Sequence, residues 1–397
     1  MEIIVLMKKN DPIASFTYDG KILKKFDIYD SKKLPIGFMN PALPFSDGFR
    51  NVVTCLNNWL NTRRIPSTRF GYTEIKTKLN LYDANSILIN NYGLSLNDDY
   101  WFANGNCCLK WEEINFYQNE YSREFGDFLF NPKQDRNTIN FMSPDFTTIG
   151  DDMKRWQQLE DNSSMLIKTN PKNEQMACNE VFASKIARRL NFSYIEYGLI
   201  RQHINVYAGQ QSGFKQMIDT YEDVNCLCSV CKNYCTEDLT YIPAQVYMHT
   251  LKPATIKNLY DEIIKTEKLK RKINDMIILD YIINNTDRHL NNFGLLVNEN
   301  NEIIDLFPIF DCGNSMNYLD RFGEDKRDYS KMFNKTFKQL IELVDNIKSY
   351  DLTVLNNIDE LFYKIYNESN LTEAEKESVL RLFKMRLNDL KQFIFTR

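Results

Sequence analysis

The 397-residue chain lacks several things, and each absence narrows its chemistry. It has no surplus of positive charge: 49 Lys and Arg stand against 53 Asp and Glu, a formal net charge of −4. A protein-wide basic field of the kind that attracts nucleic acid is therefore excluded, which leaves only local patches. No apolar run approaches the ~18 residues of a membrane span. The longest, Met276–Leu279 and Tyr281–Ile283, are split by Asp280. The apolar start at Ile3–Met7 runs straight into Lys8 and Lys9, with neither a basic leader nor a small-residue cleavage site, so no export segment is expected. Nine cysteines, an odd number, argue for reduced thiols in a cytoplasmic protein and against a disulfide framework. Neither Gly-x-Gly-x-x-Gly nor Gly-Lys-Ser/Thr occurs, so two common glycine-rich phosphate loops are missing.

What is present is an ordinary globular composition, 43% hydrophobic and 26% charged, which rules out disorder over most of the chain. At ~150 residues per domain the length suggests two or three domains. Residues 3–6 and 14–28 read as strands, with Asp19-Gly20 as a hairpin turn. Helices are expected at about 50–61, 72–80 and 111–118, and a boundary near 130–145. Beyond it come a strand at 164–169, a helix at 174–189 and strands at 194–200, 203–208 and 214–218. A polar, Cys-rich segment spans 219–240. Helices at 254–266 and 268–284, short strands at 293–297 and 302–307, and helical stretches at 335–349, 352–368 and 372–394 complete the chain.

The densest chemistry lies in Asn284-Asn285-Thr286-Asp287-Arg288-His289-Leu290-Asn291-Asn292, a polar knot between an apolar helix and a strand. A carboxylate at Asp287 can orient an attacking hydroxyl, and a carboxamide five residues on, at Asn292, can bind a hard cation. Taken alone, the segment is equally a solvated polar turn. Asp311, in Phe310-Asp311-Cys312-Gly313, lies 19 residues beyond Asn292 and offers a second oxygen ligand. Upstream, Lys168 ends an apolar strand, where an ammonium is costly unless it meets an anion. Glu180 sits on an apolar helix face with Met176, Ala183 and Ala187 and is the obvious partner, with a plain structural ion pair as the alternative. Before them, Thr147-Thr148-Ile149-Gly150 and Lys154 make a possible phosphate-covering loop, Gly150 permitting close backbone approach.

The order loop, Lys, Glu, Asp–Asn, Asp-x-Gly resembles that of the HipA-like bacterial serine/threonine kinases, through Asn285-x-Asp287-Arg288-His289-x-x-Asn292-x-Gly294 and Pro308-x-Phe310-Asp311. The resemblance covers about 140–320 well and 320–397 as a helical end. It implies an α+β, bilobal protein-kinase-like fold. An N-terminal accessory α/β region would span 1–135, a small lobe 140–205, and a mostly helical large lobe 206–397 with the Cys-rich insert at 219–240. It also implies ATP and Mg2+ as cofactors and transfer of phosphate to a Ser/Thr hydroxyl on a protein substrate, with a toxin role and an antitoxin partner in some relatives. Thr147, Thr148, Gly150, Lys154, Lys168 and Glu180 would then serve the nucleotide, Asp287 the base function, and Asn292 and Asp311 the Mg2+. His289 falls among the catalytic residues as a brace for the loop. Relatives can also modify a hydroxyl in the loop at 147–148. A kinase-fold enzyme acting on a small molecule or lipid head group, and a non-catalytic interaction module, are the rival readings. No direct nucleic-acid or membrane partner is expected.

Cys226, Cys228, Cys231 and Cys235 form a C-x-C-x2-C-x3-C cluster that reads first as free thiols in a flexible loop; a tetrahedral zinc site is the rival, although the spacing is tight for one ion and no second C-x2-C matches it, and redox pairing is the third reading. His203 and His249 read as ordinary histidines, and the strand-spaced pair Phe128 and Phe130 as core.

Overall fold

The computed structural model describes residues 2–18, 23–38, 56, 59–60, 63, 65–69, 91–105, 108–132, 139–212, 217–317 and 328–396. Asp19-Gly20, the helix expected at 72–80 and most of that at 50–61 lie outside them. The fold is mixed α and β, of the bilobal protein-kinase-like kind that the sequence implies.

The N-terminal region is built on an antiparallel sheet, β3-β2-β1-β4, from β1 (Glu2–Lys8), β2 (Asp11–Tyr18), β3 (Leu23–Ile28) and β4 (Tyr100–Asn104). Strand alternation divides its side chains between two layers. Ile4, Leu6, Phe16, Tyr100 and Phe102 pack with Trp59 and Leu60 on one face. Trp101 and Ala103 pack on the other with Trp111 and Ile114 of α1 (Trp111–Ile114), and with Trp156 from further along the chain. Phe128 and Phe130, expected on a strand, lie instead in α2 (Glu124–Phe130). The stripe that matters there is Phe125, Phe128 and Leu129, a helical spacing that buries all three.

A second antiparallel sheet, β5-β6-β8-β7, follows. It comprises β5 (Met153–Gln158), β6 (Ser164–Thr169), β7 (Gly198–Ser212) and β8 (Met217–Lys232), with α3 (Gln175–Arg189) after β6. Met153, Ile167, Ile204, Cys226 and Cys228 face the aromatic layer of Phe125, Phe128 and Phe146. The expected polar insert at 219–240 is thus mostly strand: β8 pairs with β7 from Val230 opposite Gly198 to Met217 opposite Ser212.

The remainder surrounds one large core. Its elements are β9 (Thr240–Pro243), α4 (Ala244–Met248), α5 (Ile256–Ile263), α6 (Glu267–Ile282), β10 (Gly294–Val297), β11 (Ile303–Leu306), α7 (Phe337–Glu342), α8 (Asp359–Tyr366) and α9 (Glu373–Thr396). Thr266 caps α6 by accepting from the Leu269 N–H at 3.3 Å. Ile273, Met276, Ile277 and Ile278 then bury the helix. The chain leaves it at Asn284, whose φ of 50° turns the backbone out of the helix and into the polar knot.

Candidate active site

Alternation along β6 sends Ile167 into the aromatic layer and Lys168 to the opposite face, toward α3. There the Lys168 Nζ meets three carboxylates: Glu180 Oε1 at 3.1 Å, Asp152 Oδ2 at 3.2 Å, and Asp311 Oδ1. Burial alone would lower the Lys168 pKa, but Asp311, Glu180 and Asp152 override it and hold the ammonium charged, well above the ordinary lysine value. Glu180 is fully enclosed, and burial pushes its carboxyl up. Its second oxygen accepts the Cys312 N–H at 2.7 Å. Burial would raise the Asp311 carboxyl as well, yet the Lys168 and Lys154 charges draw it below the usual carboxylate range. The close approach of the Asp-x-Gly turn to α3 requires glycine at 313, because a Cβ there would lie 2.6 Å from Met176 Cγ. Asn179 secures the turn by donating to the Gly313 and Ser315 carbonyls, each at 2.8 Å.

The polar knot is held from inside. Arg288, with no exposed surface, donates from Nε and Nη2 to the two oxygens of Asp280, both at 2.9 Å. Its Nη1 donates to the Asn292 carbonyl at 2.9 Å and to the Phe310 carbonyl, and Nη2 reaches Cys312 Sγ at 3.2 Å. One guanidinium therefore ties the backbone at 292 to that at 310–312 and brings the Asp287 loop beside Asp311. Asn292 Nδ2 donates to the Asp287 carbonyl at 3.1 Å, which leaves its amide oxygen as the acceptor. The Asp287 carboxylate accepts Asn314 Nδ2 at 2.8 Å on Oδ2 and the half-exposed Lys331 ammonium on Oδ1. His289 Nδ1 accepts the Asn291 N–H at 3.2 Å, the bracing contact expected of it.

The loop before β5 carries Thr147, Thr148 and Gly150, with Lys154 following on the strand. The buried Thr147 hydroxyl donates to the carbonyls of Leu94, at 2.8 Å, and Pro144, at 3.1 Å. That of Thr148 donates to the Pro144 carbonyl at 2.8 Å and accepts from Trp156 Nε1 at 2.8 Å. Both threonine hydroxyls are engaged within the protein, each donating to the Pro144 carbonyl. Gly150 does permit a close approach, with φ of 106° and a notional Cβ only 2.2 Å from Lys154 Nζ, but what approaches is that ammonium. Lys154 stands opposite Lys168 in the β5–β6 register.

The pleat of β8 corrects both the flexible-loop placement of these cysteines and the zinc alternative. Cys226 and Cys228 face the aromatic layer, Cys231 lies on the other face against the large core, and Cys235 is buried in that core. Four thiols split between two faces of a sheet cannot share one tetrahedral ion, and no metal-holding group of three or more such ligands occurs among the described residues. Burial pushes the Cys228, Cys231 and Cys235 thiols up to about 12, as in inert structural cysteines. His203 and His249 are exposed.

Sequence reasoning missed Asp152, Asn179, Asp280, Asn314 and Lys331. Asp280 left a trace, a carboxylate interrupting an apolar helix that wants an internal cation. The others join the site only through contacts between distant segments.

Among solved structures, a Shewanella oneidensis MR-1 HipA, in complex with HipB and its operator DNA, overlays with a TM-score of 0.57 at 10% identity, covering 98% of this chain and 97% of its own. The Helicobacter pylori proinflammatory kinase CtkA overlays at 0.38 with 17% identity, over 61% of this chain and 94% of its own. The Golgi casein kinase with Mn/ADP bound overlays at 0.33 with 12% identity, over 61% and 70%. No curated protein matches the sequence. A family model does: the HipA-like C-terminal domain matches residues 147–367, the span that holds Lys168, Glu180, Asp287, Asn292 and Asp311, and the chain belongs to that family.

Proposed function

We propose that this protein is a kinase that uses ATP and Mg2+ to phosphorylate a Ser or Thr hydroxyl on a protein. The observation that carries the reading is the joint contact of Lys168 with Glu180 and Asp311, three residues from separate segments, beside a loop that presents Asp287. Phosphoryl transfer needs little covalent help; it needs alignment and neutralisation of developing charge. Lys168 would hold phosphate oxygens, and Glu180 would keep its ammonium in place. Asp287 would orient the acceptor hydroxyl once that hydroxyl displaces Lys331 or Asn314. The donor set at Asp311 and Asn292, one carboxylate and one carboxamide oxygen, suits a hard cation, and Arg288 ties the two backbones together. Mg2+ held there would offset the charge of the phosphates.

The lobe division belongs to the same proposal, with the small lobe extended through Lys232 because β8 pairs with β6 and β7. So does an antitoxin-type partner, by likeness to the HipA that assembles with HipB, and a cytoplasmic location; no helix among the described residues is long and apolar enough to cross a membrane.

The deciding experiment is incubation with labelled ATP and Mg2+, alone and with host lysate, alongside the Asp287→Asn variant. Label transferred to protein by wild type alone supports the reading. No thermal stabilisation by millimolar ATP and Mg2+ would sink it, since a ligand of the folded state must stabilise that state.

A further inference from the structure

Arg69 belongs to the N-terminal region, yet its guanidinium is buried against the loop before β5, and the residue is only 3% exposed. Its Nε donates to the Gly150 carbonyl at 2.9 Å and its Nη2 to the Thr148 carbonyl. The carbonyl between them, Ile149, accepts the Lys154 ammonium at 3.1 Å. Three consecutive loop carbonyls therefore hold two buried cations. Next door, Thr68 donates to Asp151 Oδ1 at 2.5 Å and pins the same loop.

The charge distribution here is lopsided. Lys168 takes three carboxylates for itself. Among the described residues neither Arg69 nor Lys154 has a carboxylate within ion-pair distance. Asp145, Asp151 and Asp152 act on Arg69 only from further away. Arg69 Nη1, moreover, is buried without any hydrogen-bond partner. A buried donor left unmade is costly, and a buried cation with no carboxylate in direct contact more so. Burial pushes Lys154 down to about 8, the neighbouring Lys168 and Arg69 push the same way, and the more distant Asp152 and Asp311 offset only part of this. Two lone cations and an idle guanidinium nitrogen beside the phosphate-binding lysine are an arrangement completed by an anion.

We propose that Arg69 and Lys154 form a two-cation clamp for the phosphate chain of a nucleoside triphosphate. Arg69 Nη1 takes a phosphate oxygen while Nε and Nη2 stay on the loop, and Lys154 turns from the Ile149 carbonyl to the same chain. The planar fork of arginine suits this double duty, which a lysine could not perform. The N-terminal region thereby contributes a residue to the nucleotide site and couples its own position to that of the loop. The assignment of a nucleotide as ligand rests on the kinase reading above; the clamp itself is a polyphosphate site.

The test is binding calorimetry on the full chain with three probes: ATP with Mg2+, inorganic tripolyphosphate, and adenosine. Arg69→Met and Lys154→Met are each expected to weaken both polyanions roughly tenfold, as loss of a charge-assisted contact should. Adenosine affinity should stay at the wild-type value, which a merely structural defect would not allow. Wild-type polyanion affinity in Arg69→Met, or adenosine binding lost in parallel, overturns the clamp and leaves the kinase reading in place. Arg69-dependent tripolyphosphate binding without ATP binding would keep the clamp and overturn the kinase reading. No polyanion binding by wild type overturns both. Should Arg69→Met fail to fold, Arg69→Lys and Lys154→Met take the same readout, and wild-type affinity in both refutes the proposal.

Discussion

The Asp287 loop and the Lys168 cluster lie side by side and are built on opposite principles. In the loop, Arg288 meets Asp280 one to one, with every nitrogen of the guanidinium bonded. The two residues lie eight positions apart in the chain and are sealed from solvent. In the cluster, one ammonium faces three carboxylates from separate parts of the chain, while two further cations nearby have none within ion-pair distance among the described residues. The first arrangement is electrically complete and serves the shape of the loop. The second is unbalanced in both directions, which is what the proposed metal and phosphate site would need. Completeness marks a structural charge and imbalance a functional one.

The comparison breaks most readily at Arg288. Its replacement by Met leaves Asp280 buried and unpaired, which should cost about 3–5 kcal/mol of folding stability in denaturant titration. Adding Asp280→Asn should recover much of that loss. A change near zero for Arg288→Met would mean that the loop is not held by this pair.

Asp287→Asn probes the same loop without its scaffold. Turnover of labelled ATP should fall by ~10²-fold or more, with nucleotide affinity preserved, because shape is kept and the anionic acceptor is lost. Wild-type turnover would remove Asp287 from the base role.

On the cluster side, Asp311→Asn should weaken Mg2+-dependent ATP binding by about tenfold or more, since a charged oxygen donor is gone. Its effect on stability should be smaller than that of Arg288→Met, because Lys168 keeps Glu180 and Asp152. Equal effects on stability would erase the distinction between the two regions.

The smallest expected effect is a pH dependence. Lys154, with its folded-state pKa lowered to about 8, is charged below that pH and neutral above it. Affinity for ATP with Mg2+ should therefore decline as pH rises through about 8, while Lys154→Arg, charged throughout, should stay flat. The sign for stability is the reverse. The unfolded lysine holds its proton up to about 10.5, so this group makes the unliganded fold more stable as pH rises across that window. A flat wild-type binding profile would show that Lys154 does not meet the phosphates.

Much of this was legible in the chain itself, and the pattern of misses has a physical cause. Lys168, Glu180, Asp287, Asn292 and Asp311 stand out because each is a polar group placed where its neighbours are apolar or tightly spaced. The helix at 267–282 and the two strands that follow the polar knot are marked by periodicity over short distances. The cysteines misled because sequence spacing says nothing of the face on which a thiol emerges until the segment is known to be a strand. Once 217–232 is a strand, Cys228 and Cys231, three residues apart, must point oppositely. Phe128 and Phe130 misled in the same way: an i, i+2 pair fits a strand, and only Phe125 packed alongside reveals the helix.

The sequence by itself determined the family, the order of the reacting groups and the local frames that carry them, because those depend on neighbours within a turn or two. Only the tertiary structure decided which charges meet. It set three carboxylates on Lys168, locked 292 to 310 through Arg288, and brought Arg69 from the far end of the chain onto the carbonyls of Thr148 and Gly150. Such contacts join segments up to 159 residues apart, as Asp152 and Asp311 do on the one ammonium. Chain spacing carries no information at that range; the burial of apolar faces, which folds the segments together, supplies it.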